Sequence, residues 1–389
     1  MFDNLRDNSK IIVYIVVAAF VISGGLMGFG SYMSNNNPSN TNRSQYIAEV
    51  NNKGITPQQF LSVLRNTASQ ANNLTQSEVI PFRLNVLNSM IERELLLNEA
   101  DNMGLVVEVS DEAVENNIDQ ILEENDLTEE GLINNLENQD YTYDQFKEDI
   151  RESMVNSEKI SQVRDSTYSN IEVTEEEIQN TYKNRYEDSE EKPELEEVKS
   201  DIKETLLSQK RNQTYQNWLE NKKAEANVTI NDPVLFSYNA LDKNNYQVAI
   251  ESFNNLVESD NGSASIYIYL AEAYTGNENY EKALETYETA VEKYPENWEL
   301  RINYGDYYAD REQKEKALEQ YNRASELAGN NYYAHYQLFM SYNNIGASDE
   351  AEEEMQKITE IQQQRQNNQS TQQQVEEPSS IEEEIQQNQ

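Results

Sequence analysis

The sequence predicts an all-α protein, and three observations carry that reading. Apolar residues recur at helical spacing from Tyr46 to Ala226, with no strand-type alternation longer than a few residues. From residue 230 onward a 34-residue phase repeats four times. Near the start, residues 11–30 read IIVYIVVAAFVISGGLMGFG, a long apolar run without a charge.

A helix of 20 such residues is about 30 Å long, the thickness of a bilayer's hydrocarbon core. The run therefore predicts a transmembrane helix over 11–30, with a cytoplasmic stub at 1–10 and a polar linker at 31–45. Arg6 and Lys10 precede the run, and no Lys or Arg follows it until Arg43. That bias places the bulk of the chain outside the cytoplasm, in a single-pass arrangement in the cell membrane. The rival expectation is a cleaved signal peptide, for which Gly28 and Gly30 are small enough, although the run exceeds the usual signal core. With no Cys, lipid attachment through a thiol is excluded.

The 389 residues carry a formal net charge of −41, from 71 Asp and Glu against 30 Lys and Arg. Such a chain repels nucleic acid phosphates and anionic lipid, so neither is an expected partner of the soluble part. The acidity is spread over all segments, which suits a solvated surface in a saline setting; attraction of basic clients is the alternative. Zero Cys and a single His exclude thiolate nucleophiles, disulfides and multi-His metal sites. No cofactor, metal or catalytic residue is expected. Carboxylate pairs abound, but at this density chance accounts for them.

Along the chain, Thr56 caps a helix opening at Pro57, with Phe60, Leu61 and Leu64 at helical spacing. A long helix with a broad apolar face follows from Glu78 to Met103, ended by Gly104. Ser110, Thr128 and Thr174, each followed by acids, put caps at helix starts, and helices are expected near 111–124, 128–138, 142–169 and 174–186. Another runs from Leu195 to Ala226. Ile47–Val50 and Val106–Val109 are short enough apolar stretches to pair briefly as strands.

In the C-terminal third, Ala249, Ala283, Ala317 and Ala351 stand 34 residues apart, with Phe253, Tyr287, Tyr321 and Met355 four residues after each. Small residues let two helices of a hairpin approach, and large flat ones fill between hairpins. The phase is that of the tetratricopeptide repeat. Four copies are expected, at 230–263, 264–297, 298–331 and 332–358, the outer two weaker as terminal repeats usually are. Residues 359–389 are expected to end the last helix and pass into a disordered Gln/Glu-rich tail.

The opening residues 1–33 resemble the N-terminus of membrane-anchored periplasmic folding factors of the PpiD type. YIAEVNNKGITPQQFLSVL, from Tyr46, resembles the start of the SurA-like N-terminal domain, with Gly54 displaced from that family's usual place. VLNSMIERELLLNEADNMGLVVEVSDEAVENNI, residues 86–118, carries the family's helix–Gly–strand–cap cadence. The resemblance implies a helical chaperone lobe over 46–229, cradling extended chains. Members normally insert a parvulin-type prolyl isomerase domain between helices like 171–188 and 193–230; here only Ser189 to Lys192 lies between them. The isomerase is thus expected to be absent between 188 and 193, and His335, inside a repeat, cannot replace its histidines.

The implied function is a membrane-anchored extracytoplasmic chaperone or assembly factor for unfolded or newly exported polypeptides, without isomerase activity. The repeats would bind an envelope partner, a client or a second copy. The alternatives are a pure repeat adaptor for an envelope complex and, least supported, a prolyl isomerase. The residues offered for peptide contact are Trp218 on the lobe's inner surface and Tyr267, Arg301 and Asn303 on the first helices of the repeats, expected to line their concave face. For Trp218 and His335 the competing reading is packing.

Overall fold

The computed structural model describes residues 45–67, 74–138, 141–168, 171–187, 192–259 and 262–376. The expected stub at 1–10, span at 11–30 and most of the linker lie outside the described residues, as does the tail beyond 376. Among the described residues no helix is long and apolar enough to cross a membrane. The chain divides into two units, 1–72 with 85–232, and 73–84 with 233–389.

The first unit opens with β1 (Ala48–Val50) and β2 (Lys53–Ile55), an antiparallel hairpin. Its two-residue turn is Asn51-Asn52, both at positive φ, which matches the twist of the strands they join. Gly54 is required because a Cβ there would sit 2.2 Å from the Tyr46 ring. Among the described residues six helices lie between this hairpin and the unit's last helix: α1 (Pro57–Thr67), α2 (Val79–Asn102), α3 (Asp111–Glu124), α4 (Glu129–Glu137), α5 (Tyr143–Ser166) and α6 (Glu175–Tyr186). That last helix is α7 (Leu195–Glu225), and β3 (Val228–Ile230) follows it. β3 pairs antiparallel with β1, giving the order β2-β1-β3. The proposed strand at Val106–Val109 does not form: residues 105–110 are irregular and Val106 is 85% exposed. The third strand of the sheet is β3 instead, on the side of β1 away from β2.

Caps set the helix starts. Thr56 accepts from the Gln59 N–H at 3.2 Å, and the Gln59 side chain accepts from the Thr56 N–H at 2.9 Å. Ser110 and Thr128 cap α3 and α4, and Thr142 and Thr174 form full capping boxes at α5 and α6. Gly104 ends the α2 segment at φ +67°, a conformation cheap for Gly alone. One core joins α3, α4 and α5 through Val114, Ile118, Leu132, Leu136, Phe146 and Ile150. A second joins α2, α5 and α7 through Leu96, Ala100, Val163, Tyr215 and Leu219.

The second unit is four helical hairpins: α8 (Pro233–Asp242) with α9 (Tyr246–Glu258), α10 (Ala264–Gly276) with α11 (Tyr280–Lys293), α12 (Trp298–Ala309) with α13 (Lys314–Ala328), and α14 (Tyr332–Asn344) with α15 (Ser348–Glu376). The turn inside each hairpin places one residue at positive φ, at Asn244, Glu278, Glu312 and Gly346, again 34 apart. Each turn also returns an N–H to a carbonyl five residues back, as from Asn279 to Tyr274 at 2.8 Å. One core runs from Tyr267 to Ala351, with Ala283 and Ala317 fully buried and Tyr287 stacked on Tyr304 at 5.1 Å. Gly305 allows the approach of Tyr321, whose ring a Cβ would meet at 2.3 Å. α15 continues to Glu376, into the segment whose composition predicts disorder; Gln is a good enough helix former to extend a helix already nucleated.

Candidate protein-binding surfaces

In the first unit the closing pair is α6 and α7. Lys210 reaches the Glu177 carboxylate at 2.7 Å and the Glu172 carbonyl at 2.7 Å. Arg185 pairs with Asp201 at 2.9 Å, Lys199 with Glu175, and the Tyr182 hydroxyl donates to the Pro193 carbonyl at 2.5 Å. Lys210, with the Thr174 N–H, holds the Glu177 carboxyl down to about 2. The helices at 175–186 and 195–225 thus associate directly. Trp218 is half-buried on the flank of the second core, stacked on Tyr215 at 6.0 Å, with the Lys222 ammonium 5.8 Å from its ring.

In the second unit the first helices of successive hairpins lie side by side. Tyr267 retains 5% of its surface, edge-on to Tyr294 at 5.9 Å, and so offers little to a peptide. Arg301 is half-buried and donates to the Gln320 amide oxygen at 2.8 Å; burial, then Arg323, lowers its pKa. Asn303 donates to the Glu299 carbonyl at 2.8 Å. The three do not converge on one point.

Other residues do converge. Residues 74–80 lie on α10 and α12 within this unit. Glu299, only 3% exposed, accepts from the Ser77 N–H at 3.1 and 3.2 Å and from the Ser77 hydroxyl. The Tyr269 hydroxyl donates to the Ser77 carbonyl, and Asn297 donates to the Gln76 side chain at 3.1 Å. Tyr238 meets Tyr269 edge-on at 4.7 Å. Two carboxyls stand nearby in the repeat series. Glu272 is solvent-accessible but walled in, and loss of hydration pushes it up to about 7. Burial also raises Asp306, against the Tyr321 and Ser341 hydroxyls that donate to it at 2.7 and 3.2 Å. The face is rich in acceptors and suits donors: N–H groups, hydroxyls and ammonium groups. Sequence reasoning missed Tyr269 and Glu299. The signal was available, because their repeat counterparts are Leu235, Asn303 and Gln337 for the first and Ser265 and Tyr333 for the second.

His335 is a packing residue. It is 2% exposed, with Nδ1 on the Glu354 carboxylate and Nε2 on the Gly329 carbonyl at 2.8 Å. No group of three or more metal-ligating side chains occurs among the described residues.

Residues 1–160 match the SurA-like N-terminal domain. Residues 240–297 and 270–332 match tetratricopeptide repeat families. The chain therefore matches a SurA-like N-terminal domain over its first part and tetratricopeptide repeats further on, and none of these matches is to a parvulin domain. No curated protein matches the chain. Among solved structures, a crystal structure of MamA is similar at 21% identity, covering 34% of this chain and 77% of that one, with a TM-score of 0.28. Both the SurA-like and the repeat modules are protein-interaction folds, and a protein-binding chaperone or adaptor role follows at that level.

Proposed function

We propose that the protein is a membrane-anchored extracytoplasmic chaperone that holds unfolded or newly exported polypeptides without isomerising their prolines. One observation carries this reading. α6 and α7 pack on each other through Lys210–Glu177, Arg185–Asp201 and Tyr182–Pro193, at the place where relatives of this pattern insert their isomerase. A lobe that keeps its closing helices without the inserted domain keeps the part that grips chains and not the part that turns over prolines. The apolar run at 11–30, with Arg6 and Lys10 before it, supports an uncleaved anchor with the bulk outside.

Two measurements on the full chain test the proposal. In a proline-limited refolding assay it leaves the slow phase unchanged at catalytic amounts, and at near-stoichiometric amounts it suppresses aggregation of unrelated unfolded proteins, in high salt as in low, because apolar burial holds the client. Catalytic acceleration of the slow phase overturns the non-enzyme reading. Failure to suppress aggregation, with capture of one defined partner, makes the protein an adaptor. Protease added to spheroplasts is expected to digest the bulk of the chain; its protection overturns the orientation.

A further inference from the structure

We infer that the two ends of the repeat series are the two halves of one contact, through which the head of one copy of this chain docks on the tail of a second copy. Inside the chain each hairpin packs on the one before it, and the same positions mark every such contact. Phe253, Tyr287 and Tyr321 stand 34 residues apart on the second helices, and all three are buried. Each lies against a ring of the next hairpin: Phe253 on Tyr269 at 6.1 Å, Tyr287 on Tyr304 at 5.1 Å and Tyr321 on Tyr342 at 5.5 Å. The fourth residue of that series is Met355 on α15, and it is 40% exposed. Tyr336 on α14 continues the series of Ile268 and Ile302, which are buried, yet it is 47% exposed. The head shows the converse. Leu270, Tyr304 and Leu338 are buried, whereas their counterpart on α8, Phe236, is 41% exposed.

The head also carries a groove of defined origin. Three residues before the Phe236 series the later copies hold a large side chain, Tyr267, Arg301 or His335. Arg301 reaches Gln320, and His335 reaches Glu354. The first copy has Pro233 there, too short to cover Ser252, which stands where Gln320 and Glu354 do. A groove of about 280 Å³ is left between α8 and α9, lined by Pro233, Phe236, Ser252 and Leu256 among others. Its hydroxyls are engaged by their own helices: Ser237 donates to the Pro233 carbonyl at 2.7 Å and Ser252 to the Val248 carbonyl. The groove therefore takes an apolar side chain. Met355 is suited to it, because an unbranched thioether fills irregular gaps and packs well on aromatic rings. Its series already meets the Phe236 series within the chain, as Tyr287 on Tyr304. Charge favours a second copy as the occupant. α14 has no Asp, Glu, Lys or Arg, and α8 has Asp242 alone, in a chain of net charge −41. Two acidic copies can meet at these faces without setting carboxylates against each other. Head and tail differ, so a docked pair leaves one of each free and copies add in open rows. The inference is independent of the chaperone reading.

The test follows the mass of the detergent-solubilised full chain by analytical ultracentrifugation, up to about 100 μM. The mass is expected to rise with concentration past that of two chains. Phe236→Asp spoils the head and Met355→Asp the tail, and each is expected to weaken self-association at least about 10-fold. Mixed together, the two variants associate again but stop at one pair, since only the tail of the first and the head of the second are intact. Both residues are exposed, so neither change is expected to shift the midpoint of thermal unfolding. A wild type that keeps the mass of one chain throughout overturns the inference. So does association that survives in either variant, as it would if tail met tail or the contact lay elsewhere. Hydrogen exchange on the wild-type chain decides the matter even if a variant misfolds. Protection at residues 233–237 and 352–359 is expected to rise together with concentration; a rise at one alone, or at neither, overturns the inference.

Discussion

Burial of His335 against Glu354 makes the repeat unit's stability depend on pH in a definite direction. Burial disfavours the charged imidazole, but Glu354 and the Gly329 carbonyl outweigh it and hold the pKa above the ordinary 6.5. Burial likewise works against the Glu354 charge, yet His335, Ser325 and Lys357 keep its pKa below 4.5. A raised His stabilises fully below its unfolded pKa and loses that contribution as pH rises through the folded value. A lowered Glu stabilises above its unfolded pKa and loses it as pH falls through the folded value. Both contributions are complete between 4.5 and 6.5. The thermal stability of the repeats is expected to fall as pH rises above that window, and His335→Gln to flatten this alkaline limb. Glu354→Ala, which strands the buried imidazole, is expected to cost roughly 3 kcal/mol at pH 6. An alkaline limb that persists in His335→Gln would assign the effect elsewhere.

Helix hairpins are where the sequence was most legible. The caps at Thr56, Ser110, Thr128 and Thr174 form as read, because a hydroxyl followed three residues on by an exposed N–H is a local matter. The 34-residue phase is legible for the same kind of reason: each hairpin meets its neighbours in one way, so Ala283 and Ala317 are fully buried at equivalent contacts. Replacing either with Leu should overpack that contact and cost about 1–3 kcal/mol, read as a fall in the midpoint of denaturant unfolding. No shift in either variant would mean the alanines are not at the hairpin contact. What escaped the sequence is long-range. β3 pairs with a strand far upstream, and Val106–Val109, apolar enough for a strand, stays irregular. The docking of Ser77 on Glu299 spans 222 residues and rests on a few polar atoms that no periodicity announces. Of the proposed contact residues, Tyr267 lies in the repeats' core and Trp218 on the flank of the α2–α5–α7 core, since an aromatic at helical spacing looks the same whether it packs inward or faces a ligand.

At the scale of the molecule the net charge of −41 sets the response to salt. Like charges repel over about 30 Å at 0.01 M salt and about 3 Å at 1 M. Raising salt across that range should therefore stabilise the folded chain, seen as a higher unfolding temperature; a lower one would mean that its surface ion pairs outweigh the repulsion. The strand order β2-β1-β3 has another consequence, for the order of events in synthesis. Ala48 pairs with Ile230, a separation of 230 − 48 = 182 residues. Every helix of the first unit is translated before the sheet gains its third strand, so β1 carries an unpaired edge throughout that time. Closure over such a distance is slow compared with helix formation. A chain stopped after Ala226 holds all seven of those helices but not β3, and it should aggregate where one stopped after Asp232 stays monomeric in light scattering. The nascent chain itself, still held at the ribosome, is thus for a while an unfinished protein with a free strand edge.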